Sequence, residues 1–336
     1  MSPRELDEDD VRVRARGGSR RRTRERPAFG DAVPGLVVAV DRGRYTCRVS
    51  GSAGAAQVTA VRGGELRRTA VVVGDRVELV GDTGGGGDAL ARIVRLGPRT
   101  SLLRRTPDDS DPVERPVVAN ADQLVCVVAL ANPPPRPRLI DRVLVAAYDG
   151  GLAPVLCLTK ADLADPAELL GLYAPLGVPV LAMDRDSPLA PVLELLTGRT
   201  SVLFGHSGVG KSTLVNRLVP DALRAVGVVN ATTGRGRHTS SSAVLIDLPG
   251  GDGAVVDTPG IRSFGLGAVS VDRVLAAFPD LAEGAEECPP GCTHAADAPQ
   301  CALDAWVAAG HASAARLDSL RRVLASREGA DPDHGE

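Results

Sequence analysis

The chain has 336 residues, 43% of them hydrophobic and 24% charged, the balance of a globular protein of two or three domains. No apolar run is long enough to span a bilayer, and the N-terminus lacks the apolar stretch of a secretory signal, so the cytoplasm is the expected compartment. The net charge of −3 hides an asymmetry: the first ten residues carry five acids and one arginine, whereas residues 12–26 carry eight arginines and one acid, Glu25.

In chain order, residues 1–34 read as a disordered, Arg-rich tail. The 12–26 run suits either non-specific phosphate binding or simple solvation. Short strands at 35–40, 45–49, 70–80 and 91–96, punctuated by Gly and Asp, predict a small β-barrel over 35–106, with a mobile tip at Gly84–Gly87. Such barrels bind looped or single-stranded RNA. Arg62, Arg67, Arg68, Arg104 and Arg105 are the basic candidates to face it, and Tyr45 the candidate to stack. The acidic, Pro-containing stretch 108–116 marks a linker. After it, strands at 123–130, 153–159, 178–182, 201–205, 243–247 and 254–256 alternate with helices at 138–149, 187–197 and 211–219. That alternation predicts a parallel sheet flanked by helices over 113–270. Helical segments then surround a Cys/His cluster over 271–328, and 329–336 is a polar tail. A helix around Leu303–Leu324 is expected to rest on the cluster, with Trp306 filling the gap.

Of the 39 basic residues only Lys160 and Lys211 are lysines. An ammonium is a compact point charge, which a planar guanidinium does not replace. Lys211 stands in Gly205-His206-Ser207-Gly208-Val209-Gly210-Lys211-Ser212-Thr213, between a predicted strand and a predicted helix, the context a phosphate-binding P-loop requires. In that loop Lys211 reaches the β- and γ-phosphates and Ser212 ligates Mg²⁺. Asp257-Thr-Pro-Gly260 follows a strand some 45 residues later. There the aspartate can hold Mg²⁺ and the Gly260 N–H can meet the γ-phosphate. Thr159-Lys160-Ala161-Asp162 also follows a strand. A carboxylate at Asp162 can accept the N1–H and N2–H₂ donors of guanine, a pair adenine does not offer, and the Lys160 stem can cover the base plane.

Cys288, Cys292, His294 and Cys301 crowd into fourteen residues, whereas Cys47, Cys126 and Cys157 fall singly in apolar runs. Three thiolates and one imidazole suit a tetrahedral structural Zn²⁺ with no open position.

The order of these motifs is guanine reader, P-loop, then Asp-x-x-Gly, with a β-barrel before and a Cys/His cluster after. In that order the chain resembles the small ribosomal subunit-dependent, circularly permuted GTPases of bacteria over residues 35–328. The resemblance implies a multidomain α/β fold: an N-terminal OB-like β-barrel, a circularly permuted P-loop GTPase domain and a C-terminal helical zinc-binding domain. It also implies a monomer that binds GTP, the 30S subunit and 16S rRNA late in subunit maturation and leaves on hydrolysis to GDP. Thr159 departs from the family's usual Asn, the cysteine spacing differs by one residue on each side, and the last guanine-facing loop, expected near Leu181–Met183, is poorly marked. Where many GTPases carry a water-orienting glutamine after Asp-x-x-Gly, this chain has Ile261. The segment 232–242 stands where a first switch belongs and resembles the family's Gly-Arg-His-Thr signature at Gly236–Thr239. That match implies Thr239 at Mg²⁺ and the γ-phosphate, and His238 at the attacking water. His238 in a basic loop could equally bind RNA phosphate. Two other classes fit less of the pattern: a P-loop ATPase or kinase, against Asp162, and a non-catalytic RNA-binding module, against intact Lys211, Ser212 and Asp257.

Overall fold

A computed structural model of the chain describes residues 29–51, 54–66, 69–84, 90–105, 115–220, 243–258 and 269–326. The chain divides into Met1–Asp31 and Ala32–Glu336, and the elements below belong to the second unit. The 12–26 arginine run, Arg67, Arg68, most of the glycine tip, the 232–242 segment with His238 and Thr239, Gly260, Ile261 and the 329–336 tail lie outside the described residues.

Five strands form the barrel: β1 (Val33–Asp41), β2 (Arg44–Gly51), β3 (Gly54–Arg62), β4 (Arg76–Val80) and β5 (Ala91–Leu96). β1 pairs with β2, β2 with β3, β3 with β5 in parallel, β5 with β4, and β4 back onto β1. This closed five-stranded circuit is OB-like and leaves no open edge within the barrel. Val37, Cys47, Val58, Leu79 and Ile93 fill it. Tyr45 also points inward and is only 6% exposed, so it cannot stack on RNA as the sequence suggested. Arg62 is exposed, but Arg104 and Arg105 lie on β6 (Leu102–Arg105), which pairs with β7 (Arg115–Ala119) and not with the barrel. The strand expected over 70–80 begins only at Arg76. Gly74 interrupts it at φ +86, and a Cβ there would lie 1.9 Å from the Ala119 carbonyl oxygen. Next to it, the fully buried Asp75 accepts Nε–H and Nη2–H bonds from Arg99 at 2.7 and 2.8 Å and the Val72 N–H at 2.7 Å. A carboxylate so fully bonded can be buried at tolerable cost.

The second layer is a sheet of β8 (Gln123–Ala129), β9 (Ala153–Thr159), β10 (Val180–Ala182), β11 (Thr200–Phe204), β12 (Val244–Asp247) and β13 (Ala254–Asp257), in the order β10-β9-β8-β11-β13-β12. Every residue of β8 is buried, the signature of a central parallel strand covered on both faces. The pairings are parallel except β12 with β13, which is antiparallel and departs from the all-parallel expectation. Residues 248–253 between them are too few for a crossover helix, so the chain can only turn back. β12 also meets the barrel: Ala39 of β1 pairs with Val244, and Arg48 bonds Asp247 at 2.6 Å, so barrel and sheet form one continuous strand array.

Among the described residues four α-helices connect the strands of the sheet. α1 (Pro137–Gly150) opens on a proline and ends at Gly151, whose φ of +73 lets its N–H return to the helix carbonyls. α2 (Ala167–Tyr173), absent from the sequence expectation, buries Leu169 and Tyr173 in the core shared with α1. α3 (Ala190–Leu196) is shorter than the expected 187–197, and α4 (Lys211–Leu218) starts on the lysine itself. From β8 the chain steps outward to β9 and β10, then returns to place β11 against β8. In open α/β sheets, ligands bind outside the carboxyl ends of the strands at such a reversal.

A C-terminal lobe follows: α5 (Val271–Leu275), α6 (Pro279–Ala285), α7 (Leu303–Ala308) and α8 (Ala314–Ala325). The single helix expected over 303–324 is two, interrupted at Gly310 with φ +86. Trp306 lies on Gly284, where a Cβ would come within 2.4 Å of the indole, and stacks on His311 with ring centroids 4.0 Å apart. His311 is an exposed residue of the inter-helix turn that stacks on Trp306. Phe278, Leu281, Leu303, Leu317, Leu320 and Val323 join the same core as α1 and β8.

Candidate nucleotide and metal sites

Three sequence motifs meet at the carboxyl ends of β9, β11 and β13. The loop after β11 is shaped by its glycines. Gly208 and Gly210 sit at φ +81 and +94, and a Cβ on Gly205 would lie 2.8 Å from the Val127 carbonyl oxygen. His206 is edge-on to Phe204, with centroids 6.0 Å apart. The loop delivers Lys211, Ser212 and Thr213 to the first turn of α4, where unpaired backbone N–H groups and the helix dipole favour an anion.

Lys211 Nζ donates to Asp257 Oδ1, so the ammonium expected at the phosphates and the carboxylate expected at Mg²⁺ reach the same point in space. The adjoining Thr258 is buried and donates its hydroxyl to Leu203 O at 2.8 Å, which locks the end of β13 to β11. At the base end, Thr159 is 8% exposed and donates its hydroxyl to Val209 O in the P-loop at 2.5 Å. A Cβ on Gly210 would stand 3.5 Å from that hydroxyl. The threonine that departs from the family pattern thus ties the segment expected to read the base to the loop expected to hold the phosphates. Lys160 has φ +60, a left-handed conformation costing an L-residue about 1–2 kcal/mol. Its ammonium donates to Asn132 O, on a wall that sequence reasoning missed; Pro133 on that wall stands 3.7 Å from the position a Gly208 Cβ would take. Asp162 is exposed at the mouth.

The stretch Leu181–Met183, where the last guanine-facing loop is expected, follows β9 in the sheet through β10. Met183 donates its N–H to Leu158 O at 2.8 Å and accepts the Ala161 N–H at 3.1 Å, so Met183 lies beside the Thr159–Asp162 segment, and residues 184–187 continue from it. Only the loop's position, just after a short strand, signals it in the sequence. The sites expected at His238, Thr239 and Gly260 lie outside the described residues.

The C-terminal lobe gathers Cys288, Cys292, His294 and Cys301, with one ligand atom from each all within 4.8 Å of one another. Cys288 Sγ lies 4.0 Å from Cys301 Sγ and 3.7 Å from His294 Nδ1, and Cys301 Sγ lies 3.8 Å from that nitrogen. Tetrahedral Zn²⁺ with Zn–S bonds of about 2.3 Å needs sulfurs about 3.8 Å apart, so the four side chains fit the ion. All three cysteines are free thiols. Burial pushes the His294 imidazolium below its ordinary range, which favours the neutral ring a metal requires, and raises the Cys301 thiol to about 11. The Ala302 N–H donates to Cys288 Sγ at 3.2 Å, and Arg321 of α8 donates to His294 O at 3.3 Å. These bonds attach α7 and α8 to the cluster.

Comparison with known proteins agrees with this geometry. Residues 96–267 match the model of the RsgA GTPase family. The chain belongs to that family. The Small ribosomal subunit biogenesis GTPase RsgA of Ectopseudomonas mendocina is 42% identical over 76% of this chain and 75% of its own, and that of Pseudomonas aeruginosa 40% over 78% and 77%. Among solved structures, YjeQ from Thermotoga maritima superimposes with a TM-score of 0.64 at 25% identity, covering 89% of this chain and 100% of its own. YloQ, a circularly permuted GTPase, shares the fold with a TM-score of 0.61 at 24% identity, covering 88% of this chain and 95% of its own. Family membership makes the chain a GTP hydrolase, an activity that uses Mg²⁺ with its nucleotide.

Proposed function

We infer that this GTPase acts on the small ribosomal subunit, assisting late 30S maturation in the cytoplasm as a monomer and hydrolysing GTP to GDP in a subunit-stimulated manner. The observation that carries the reading is the convergence of the base-reading and phosphate-binding motifs through Thr159–Val209 and Lys211–Asp257. It is joined by the relatives' common name, Small ribosomal subunit biogenesis GTPase. Among the described residues no helix is long and apolar enough to cross a membrane.

In this reading Asp162 accepts the guanine N1–H and N2–H₂, and Thr159, Lys160 and Ala161 frame the base. Residues Gly205 to Thr213 cradle the phosphates, with Lys211 on the β- and γ-oxygens and the Gly260 N–H on the γ-phosphate. Ser212, Thr239 and Asp257 would hold Mg²⁺, which neutralises charge on the phosphates when bound. His238 orients the attacking water. Cys288, Cys292, His294 and Cys301 would hold a structural zinc that orders the lobe. The working domains are the barrel over 35–106, which takes 16S rRNA, the GTPase domain over 113–270 and the zinc lobe over 271–328. The exposed barrel arginines reach RNA backbone, so affinity falls steeply with salt.

The test is GTP turnover with and without purified 30S subunits, with ATP as competitor. The expected result is stimulation of at least about tenfold, unaffected by excess ATP. Turnover that is indifferent to subunits would remove the ribosomal assignment and leave only the GTPase.

A further inference from the structure

The loop Met183–Ser187 beside the guanine motif has no regular structure, and two devices hold its shape. The first is internal: Asp184 Oδ1 accepts the Ser187 hydroxyl at 2.8 Å and the N–H groups of Ser187 and Asp186 at 2.6 and 2.8 Å, while the Asp184 N–H donates to Ser187 Oγ at 2.9 Å. Those bonds, the Ser187 hydroxyl first, hold the Asp184 carboxyl below its ordinary range, so it is ionised near neutrality.

The second device comes from outside the loop. Arg217, in the last turn of α4, donates Nη2–H to Ser187 O at 2.5 Å and Nη1–H to Asp184 O at 3.3 Å. One guanidinium fork therefore grips both ends of the turn. Lys211 and Arg217 are six residues apart on the same short helix, about 9 Å along its axis at about 1.5 Å per residue. The helix that begins at the phosphate site thus ends at the base site.

We propose that Arg217 is a positioning residue for guanine recognition: from the P-loop helix it holds the Asp184–Ser187 backbone against the nucleotide base. The proposal rests on the reading that GTP occupies this site. The chemistry is specific to arginine. Two carbonyl oxygens at one turn need two donors in a fixed plane, whereas a lysine ammonium is a single point of attachment. In this proposal the loop acts on the base elsewhere than Asp162, whose carboxylate takes the edge that carries N1–H and the 2-amino group. The two contributions can be separated by inosine nucleotides, which lack only the 2-amino group.

The experiment measures equilibrium binding of GDP and IDP, and GTP turnover, for the full-length wild type, Arg217→Ala, Arg217→Lys and Asp162→Asn, with melting temperature as a control for folding. For Arg217→Ala the expected result is a rise of about tenfold in Kd for both GDP and IDP, with their ratio unchanged, and a matching rise in KM with kcat at saturating GTP within about twofold. Arg217→Lys, which keeps the charge and stem, gives a smaller rise and stands in if Arg217→Ala does not fold. Asp162→Asn instead changes the GDP to IDP ratio. An unchanged GDP affinity in both Arg217 variants, or a fall in kcat at unchanged KM, overturns the proposal. Failure of the wild type to bind GDP overturns the GTP-site reading itself, so the two failures are distinct.

Discussion

The barrel and the C-terminal lobe both flank the nucleotide-binding sheet, yet they are attached in opposite ways. The barrel keeps a core of its own, from Val37 to Ile93, and meets the sheet through the Ala39–Val244 strand pair, the Arg48–Asp247 ion pair and the buried side chains of Val38 and Val73, which join the main core. The C-terminal helices contribute Phe278, Leu281, Leu303, Leu320 and Val323 to the core that α1 and the sheet also build. Side-chain bonds add to this. Arg322 donates to the buried Asp141 of α1 at 3.0 Å and lies over the Tyr173 ring, while Arg316 donates to Asp280 and, at 2.8 Å, to Pro175 O. The lesson is that the lobe has its core in common with the GTPase sheet, whereas the barrel keeps a core of its own and shares only a few side chains, Val38 and Val73 among them, with the main one.

The sharpest test of that contrast is Phe278→Ala. The ring is fully buried, edge-on to Tyr148 of α1 at 5.9 Å and beneath Arg316. Its loss should cost about 3–5 kcal/mol and lower the melting temperature and GTP turnover together, as one cooperative unit. The matching barrel change, Ile93→Ala, empties an equally buried position and should cost about 2–5 kcal/mol. Here a separate low-temperature transition is expected, with subunit-independent GTP turnover retained. If chemical denaturation followed by two probes shows a single coincident transition for Ile93→Ala, the separation of the two cores is wrong.

A smaller effect is expected at Asp141. Burial raises its carboxyl above the ordinary range against the opposing pull of Arg322. A raised folded-state value means that the folded protein holds the proton more tightly. Its contribution to stability is complete below the ordinary value of about 3.9 and is lost as pH rises through the raised one. Urea titrations across acidic to neutral pH should therefore show that component of the slope in the wild type and not in Asp141→Asn. The smallest effect belongs to Arg48→Ala. The pair is 29% and 50% exposed and should contribute under about 1 kcal/mol, with strand pairing keeping the barrel in place.

The motifs that meet at the site were legible because each is a short contiguous string whose chemistry is local: a glycine-rich loop and a lysine at 205–213, a carboxylate at Asp162, and four residues able to hold a metal within fourteen positions. The buried strands β8, β9 and β11 were legible within a residue or so at each end, because a strand covered on both faces is an unbroken apolar run. The strand β3 was not, since Gly-Ala-Ala-Gln-Val-Thr-Ala-Val-Arg has little bulk and gains its place from partners far along the chain. Tyr45 read as a surface aromatic because alternation alone does not say which face of a barrel strand is inside.

Residue type and order were enough to establish the GTP chemistry, the permuted motif order and a metal-ligand set, since these depend on functional groups that no fold can supply from elsewhere. Only the tertiary structure showed that Thr159 bonds the P-loop, that Lys160 rests on Asn132, and that Arg217 reaches the turn at Asp184–Ser187. The partners in those contacts lie about 30 to 50 residues apart. A hydrogen bond depends on positions within tenths of an ångström, and those positions exist only once the sheet has brought its strand ends together.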